Sequence, residues 1–152
     1  MVLATVTWDG GAGDFTWLSA ANWSNDTVPT SADDAVIPDL VGTPTINIGT
    51  STSVRSVASA EKISVTAGTW TVAQNSALNA GLDIAGSAVV RLSGTLNGAV
   101  DNGGTLDLFG NNVTIVGAMT GSGVITNTGV AVPATLTVDG TGSFGGIIQN
   151  GV

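Results

Sequence analysis

Apolar and polar residues alternate in short runs along most of the chain, as at Leu106 and Leu108, Val113 and Ile115, and Leu136 and Val138. A two-residue period puts one face of a strand inside and the other in water. The runs therefore predict half-buried strands of about three to five residues, with Gly, Asn and Ser between them as turns.

The pattern also repeats. Glycines fall at 94, 117 and 140, after Arg91-Leu92-Ser93, Ile115-Val116 and Val138-Asp139, in two equal steps of 23. Leu78-Asn79-Ala80-Gly81, Val100-Asp101-Asn102-Gly103, Ile125-Thr126-Asn127-Thr128-Gly129 and Ile148-Gln149-Asn150-Gly151 share a second pattern, with asparagines 23, 25 and 23 apart. A third element, Leu82-Asp83-Ile84-Ala85-Gly86, returns at a similar interval as Leu106-Asp107-Leu108-Phe109-Gly110, and a weaker copy is expected at Val130-Ala131-Val132.

A repeat of about 23 residues with three short strands leaves no room for helices, so the expected fold is all-β. We read it as a right-handed parallel β-helix (β-solenoid) over residues 46–152, behind a capping segment at 1–45. Five or so turns at about 4.8 Å each make a rod on the order of 25 Å long. Asn79, Asn102, Asn127 and Asn150 would stack at one corner as a structural ladder of amides; a row of ligand-binding amides is the alternative. The glycine pairs at 103–104 and 145–146 read as tight corners, and the last residues fall inside a repeat, as expected for a piece of a longer protein.

Composition narrows the function. The chain has 152 residues, 22 of them Gly, only 9% charged, and 43% hydrophobic, which argues against disorder. A net charge of −8, against only Arg55, Lys62 and Arg91, would repel phosphate backbones, so nucleic acid is not an expected partner. Without Cys there are no disulfides or thiolate metal sites. No apolar run approaches the ~18 residues of a membrane span, so this segment is not expected to insert, and the first residues lack the basic and apolar regions of an export signal.

Without His, Cys or Tyr, catalysis falls to carboxylates. Asp83 and Asp107, one copy of the third element apart, would sit at equivalent positions on adjacent rungs, close enough for a glycosidase pair, yet repeat copying alone produces the same stack. Asp33 and Asp34 would point to opposite faces of a strand and form no dyad. We expect no catalytic residues. Asp9, Asp14 and Asp34, with Asn22, could gather calcium through hard oxygen ligands, and no other cofactor is expected.

Residues 4–40 stand outside the repeat and hold three of the four tryptophans. They read Thr7-Trp8-Asp9-Gly10-Gly11-Ala12-Gly13-Asp14-Phe15-Thr16-Trp17, then Ala21-Asn22-Trp23-Ser24, Val28-Pro29 and Asp33-Asp34-Ala35-Val36-Ile37. This string resembles the Trp, Gly-Gly, Gly-Asp, Trp, Asn-Trp, Pro and Asp-x-Ala-x-Ile motif that opens large bacterial surface proteins of the autotransporter-passenger and adhesin kind. The resemblance covers about residues 6–38. It implies a secreted, cell-anchored fibre whose first rung the N-terminal module closes.

Trp8, Trp17 and Trp23 would then cover the apolar end of the coil. A competing reading makes Trp17 and Trp23, beside Asn22, an exposed platform for a sugar ring. The expected function is a structural or adhesive rod segment at the cell surface or outside the cell, meeting host or bacterial surfaces, polysaccharide, or copies of itself end to end. The alternatives are a self-assembling filament or surface-layer-like subunit, a polysaccharide-binding module, and a polysaccharide-degrading enzyme.

Overall fold

The computed structural model describes residues 4–129 and 133–150. The expected weak repeat copy at 130–132 lies outside these. A first strand, β1 (Thr5–Thr7), precedes the coil. Three strands then make each turn. The first holds β2 (Asp34–Ile37), β3 (Thr45–Ile48) and β4 (Thr52–Val54); the second β5 (Ser56–Ser59), β6 (Lys62–Val65) and β7 (Gly68–Val72). The third holds β8 (Ser76–Leu78), β9 (Leu82–Ile84) and β10 (Ala88–Leu92), and the fourth β11 (Gly94–Asn97), β12 (Val100–Asn102) and β13 (Thr105–Asp107). The fifth holds β14 (Val113–Val116), β15 (Met119–Thr120) and β16 (Val124–Thr126), and β17 (Leu136–Val138) and β18 (Ile147–Ile148) belong to a sixth.

Like strands of successive turns pair in parallel, giving a 7-stranded sheet from β1 to β17, a 5-stranded sheet from β3 to β15 and a 6-stranded sheet from β4 to β18. The chain is thus a β-solenoid of about 6 turns, as the alternating runs predict. The 7-stranded sheet already takes in β1 and β2, upstream of the boundary expected at residue 45.

The rung length departs from expectation. Thr45 lies opposite Lys62, Ile63 opposite Leu82, Leu82 opposite Val100 and Val100 opposite Met119, so the numbering advances by 17, 19, 18 and 19 from rung to rung. The step falls to 16 between Val89 and Thr105 and reaches 23 only between β14 and β17 and between β16 and β18. The spacing is therefore near 19, and steps close to the longer period occur only at the two ends of the coil, 22 between β2 and β5 and 23 at the last. Gly117 packs on Gly98, and Gly140 on Gly117, so the stacked column runs 98, 117, 140 and leaves out Gly94.

Inward positions follow the two-residue period. Ile46, Ile63, Leu82, Val100 and Met119 stack in register on one sheet; Trp70, Val90, Leu106 and Ile125 stack on another. All nine are buried. Each such aliphatic residue contributes about 1.5–3 kcal/mol when fully removed from water.

The two ends differ. At the N-terminal end the segment 15–24 covers two sheet edges. Thr7 N donates to Ser24 Oγ at 3.0 Å, and Trp8 bridges Trp23 in antiparallel fashion. Asn47 N donates to Phe15 O at 2.8 Å, and Trp17 N donates to Asn47 O at 2.9 Å, which closes the edge of β3. At the other end Ile147 and Ile148 are 60% and 74% exposed. An open, largely apolar cavity of about 1280 Å³ lies there among Leu108, Met119, Ile125, Leu136, Phe144 and Ile148.

Candidate functional site

The N-terminal tryptophans are packed, not presented. Trp17 and Trp23 are fully buried and Trp8 nearly so. Their rings meet edge to face, Trp8 with Trp23 at 5.1 Å, Trp17 with Trp23 at 4.7 Å and Trp17 with Trp70 at 5.7 Å between centroids. Trp23 Nε1 donates to Trp17 O at 2.6 Å. A sugar cannot stack on a ring with no exposed face, so the competing platform reading of Trp17 and Trp23 is corrected: both belong to the aromatic cap that is the first expectation for them.

Asn22, the third member of that platform, is equally buried and its carboxamide is spent on the loop. Nδ2 donates to Asp14 Oδ1 at 2.8 Å and to the carbonyls of Asp14 and Thr16 at 3.2 Å, while Oδ1 accepts from Ala12 N at 3.1 Å. Two 3-10 turns, Ala20–Asn22 and Ser24–Asp26, aim Asn22 and Trp23 inward. The Asp14 carboxyl lies below the usual carboxylate range. The hydrogen bond from Thr16 N is the main cause, followed by those from Ser19 and Asn22.

The expected calcium ligands do not converge. Asp9 Oδ1 accepts from Gly11 N at 3.2 Å, Asp14 holds the Thr16–Asn22 loop, and Asp34 pairs with Arg55 and Ser56 on the neighbouring turn. No group of three or more metal-binding side chains forms among the described residues. Asp9, Asp14 and Asp34 instead serve three separate turns and rungs.

The asparagine ladder is also corrected. Asn102 lies opposite Ile84, because that rung is shorter than the expected repeat, and Asn79 sits in the turn after β8 with its N–H on Ser59 O. Asn102 is buried and donates from Nδ2 to Val124 O at 2.9 Å, tying two rungs. Asn127 Oδ1 accepts from Gly110 N at 2.7 Å. Only Asn127 and Asn150 follow strands whose pairing offset equals their own separation.

Asp83 and Asp107 are not a pair. Asp83 is on the 5-stranded sheet opposite Asp101, with Ser64 Oγ at 3.5 Å; Asp107 is on the 6-stranded sheet opposite Arg91 and Thr126. The step from 83 to 107 carries the chain past one full turn and onto another face.

What sequence reading missed is the cluster around Asp107. This carboxylate is 2% exposed and accepts four hydrogen bonds: Phe109 N at 3.1 Å and Thr128 N at 3.0 Å on Oδ1, Thr128 Oγ1 at 2.6 Å and Arg91 Nε at 3.0 Å on Oδ2. Burial, the largest single influence, pushes its pKa up, but the bonds from Thr128, Arg91 and Phe109 together hold it below the usual value. The Arg91 guanidinium lies 4.0 Å over the Phe109 ring, which is 48% exposed. Phe109 has φ +46°, a conformation bulky residues rarely adopt. The only signals in the sequence are an isolated Arg two residues before a turn and a Phe before Gly110, and neither places the two side by side. No family model, curated protein or solved structure matches the chain.

Proposed function

We propose that this chain is a structural and adhesive rod segment of a secreted or cell-surface protein, resembling autotransporter passengers and adhesins, with no catalysis of its own. The observation that carries the reading is the polarity of the rod: aromatic packing and edge hydrogen bonds cover two sheet edges at the N-terminal end, while the described residues at the other end expose Ile147 and Ile148 beside an open, largely apolar cavity. The residues of the adhesin-like motif are the ones that do the sealing: Trp8, Trp17, Trp23 and Asn22 are buried in the cap. The carboxylates read for catalysis or metal binding lie apart, each held in its own turn or rung.

Two measurements test the reading. Beads coated with the chain should bind bacterial or host cell surfaces, and incubation with a panel of polysaccharides should release no new reducing ends. Release of product would replace the rod with an enzyme, and beads that bind no surface would remove adhesion. The exposed Ile147 and Ile148 favour a second reading, assembly of copies end to end. Sedimentation against concentration tests it, since assembly predicts a rising mass and a sealed rod a constant one.

A further inference from the structure

We infer that the hollow beside the stacked Arg91 and Phe109 side chains is a binding site for one pyranose unit of a neutral glycan. The inference gives the adhesive reading above a ligand and rests on that reading for its context. The groove lies on the outer face of the 6-stranded sheet at the corner after the third strand of each turn. It holds about 160 Å³ between Thr71, Ala73, Arg91, Ser93, Phe109 and Asn111. An enclosed space of about 150 Å³ takes a benzene-sized ring, so this open hollow takes the ring of a pyranose while its outer hydroxyls stay in water.

Register explains why a hollow forms there. Thr71 lies opposite Arg91 and Arg91 opposite Asp107, so Ala73, Ser93 and Phe109 follow at the corners of successive turns. Two small side chains leave a floor, and the Phe109 ring and the Arg91 guanidinium rise beside it.

The walls are fixed before any ligand arrives. Arg91 Nε is held by the buried Asp107, and among the described residues its remaining guanidinium N–H groups donate to nothing. Phe109 is set by its left-handed backbone and by the bond from its N–H to Asp107 Oδ1. Asn111 Nδ2 donates to Leu108 O at 3.1 Å and to Phe109 O at 3.3 Å, which keeps the corner closed. A strained bulky residue, a pre-oriented donor fork and an exposed ring at one hollow are what a binding site needs and a plain solvent-facing corner does not.

The chemistry selects the ligand. The Arg91 guanidinium covers one face of the Phe109 ring, so the C–H face of a pyranose meets the part of the ring that stays exposed, its other face and edge. The free Arg91 N–H groups and the Thr71 hydroxyl can meet its hydroxyls, and Ser93 Oγ, which donates to Asn111 Oδ1 at 3.4 Å, can accept from them. The net charge of −8 makes a polyanionic glycan the wrong partner, although Arg91 alone would attract one. Trp17 and Trp23 are buried, so this ring takes the part that the competing platform reading gives them.

The test is an NMR titration of the full 152-residue chain with neutral oligosaccharides (gluco-, manno- and galacto-configured) and, separately, with oligouronates. The expected result is saturable shifts at the amides of residues 91–93 and 109–111 for at least one neutral series below about 10 mM. Phe109→Asn keeps a residue suited to positive φ, removes the ring, and should weaken that binding at least about tenfold. Thr71→Val, nearly isosteric on the surface, should weaken it about two- to fivefold. No shift with any neutral series, equal binding by Phe109→Asn, or stronger binding of oligouronates would overturn the inference. Those outcomes leave the rod reading standing, because cell binding and the absence of released product are measured separately.

Discussion

Replacing Asp107 by Asn tests how the rungs are tied on the 6-stranded sheet. The carboxamide oxygen can still accept from Phe109 N and Thr128 N, the 3.1 and 3.0 Å bonds on Oδ1. The new NH₂ group faces Thr128 Oγ1 and Arg91 Nε, both of which now donate to Oδ2. The Thr hydroxyl can rotate to accept; the guanidinium cannot. Hydrogen bonds to a charged group are each worth about 1.5–3 kcal/mol, and the Arg91 share is reduced because that side chain is 32% exposed. The expected cost is about 2–3 kcal/mol, a fall in Tm of about 4–12 °C for a chain of this length.

The same carboxylate makes stability depend on acid. Its folded pKa is lowered, so its contribution is fully present above the unfolded value of about 3.9 and is lost as pH falls below that toward the folded value. Urea unfolding followed by tryptophan emission, at neutral pH and through pH ~5 to ~2.5, checks both statements. Asp107→Asn should lie below the parent at neutral pH and converge with it in acid. A variant within about 0.5 kcal/mol of the parent at neutral pH, or one with an unchanged acid slope, would refute the reasoning.

Trp23→Ala should cost about 3–5 kcal/mol, since a fully buried indole leaves a cavity, and iodide should quench the parent's N-terminal indoles poorly. Gly98→Ala should be severely destabilising by urea midpoint, because φ is +147° and a Cβ would collide with Leu78 O. Asp9, Asp14 and Asp34 are spent on separate turns, so adding calcium or a chelator should move the thermal midpoint by less than about 1 °C. A calcium-dependent rise in Tm would overturn the account of these three carboxylates.

Local alternation determined much of the fold. Leu82 and Ile84, or Val113 and Ile115, declare their inward faces within a single strand, because successive side chains point to opposite sides whatever the strand pairs with. Three short strands between Gly and Asn turns were enough to predict a solenoid. The Trp-rich segment at 6–38 was legible as a cap because it breaks the repeat and concentrates aromatic area.

Register was not legible, and the candidate site follows from register. How many residues each corner absorbs is settled by packing against the turn below, and here the step ranges from 16 to 23. A fixed period therefore aligned Asn79 with Asn102, and Asp83 with Asp107, on faces they do not share. Whether the indoles of Trp17 and Trp23 face water or each other depends on the segment 15–24 folding back over β1 and β3. The cluster of Arg91, Asp107, Phe109 and Thr128 joins residues far apart in sequence that become neighbours only when three turns are stacked. Strand faces are local properties of the sequence; which side chains meet across turns is a property of the stacked coil, because only tertiary packing fixes the length of each corner.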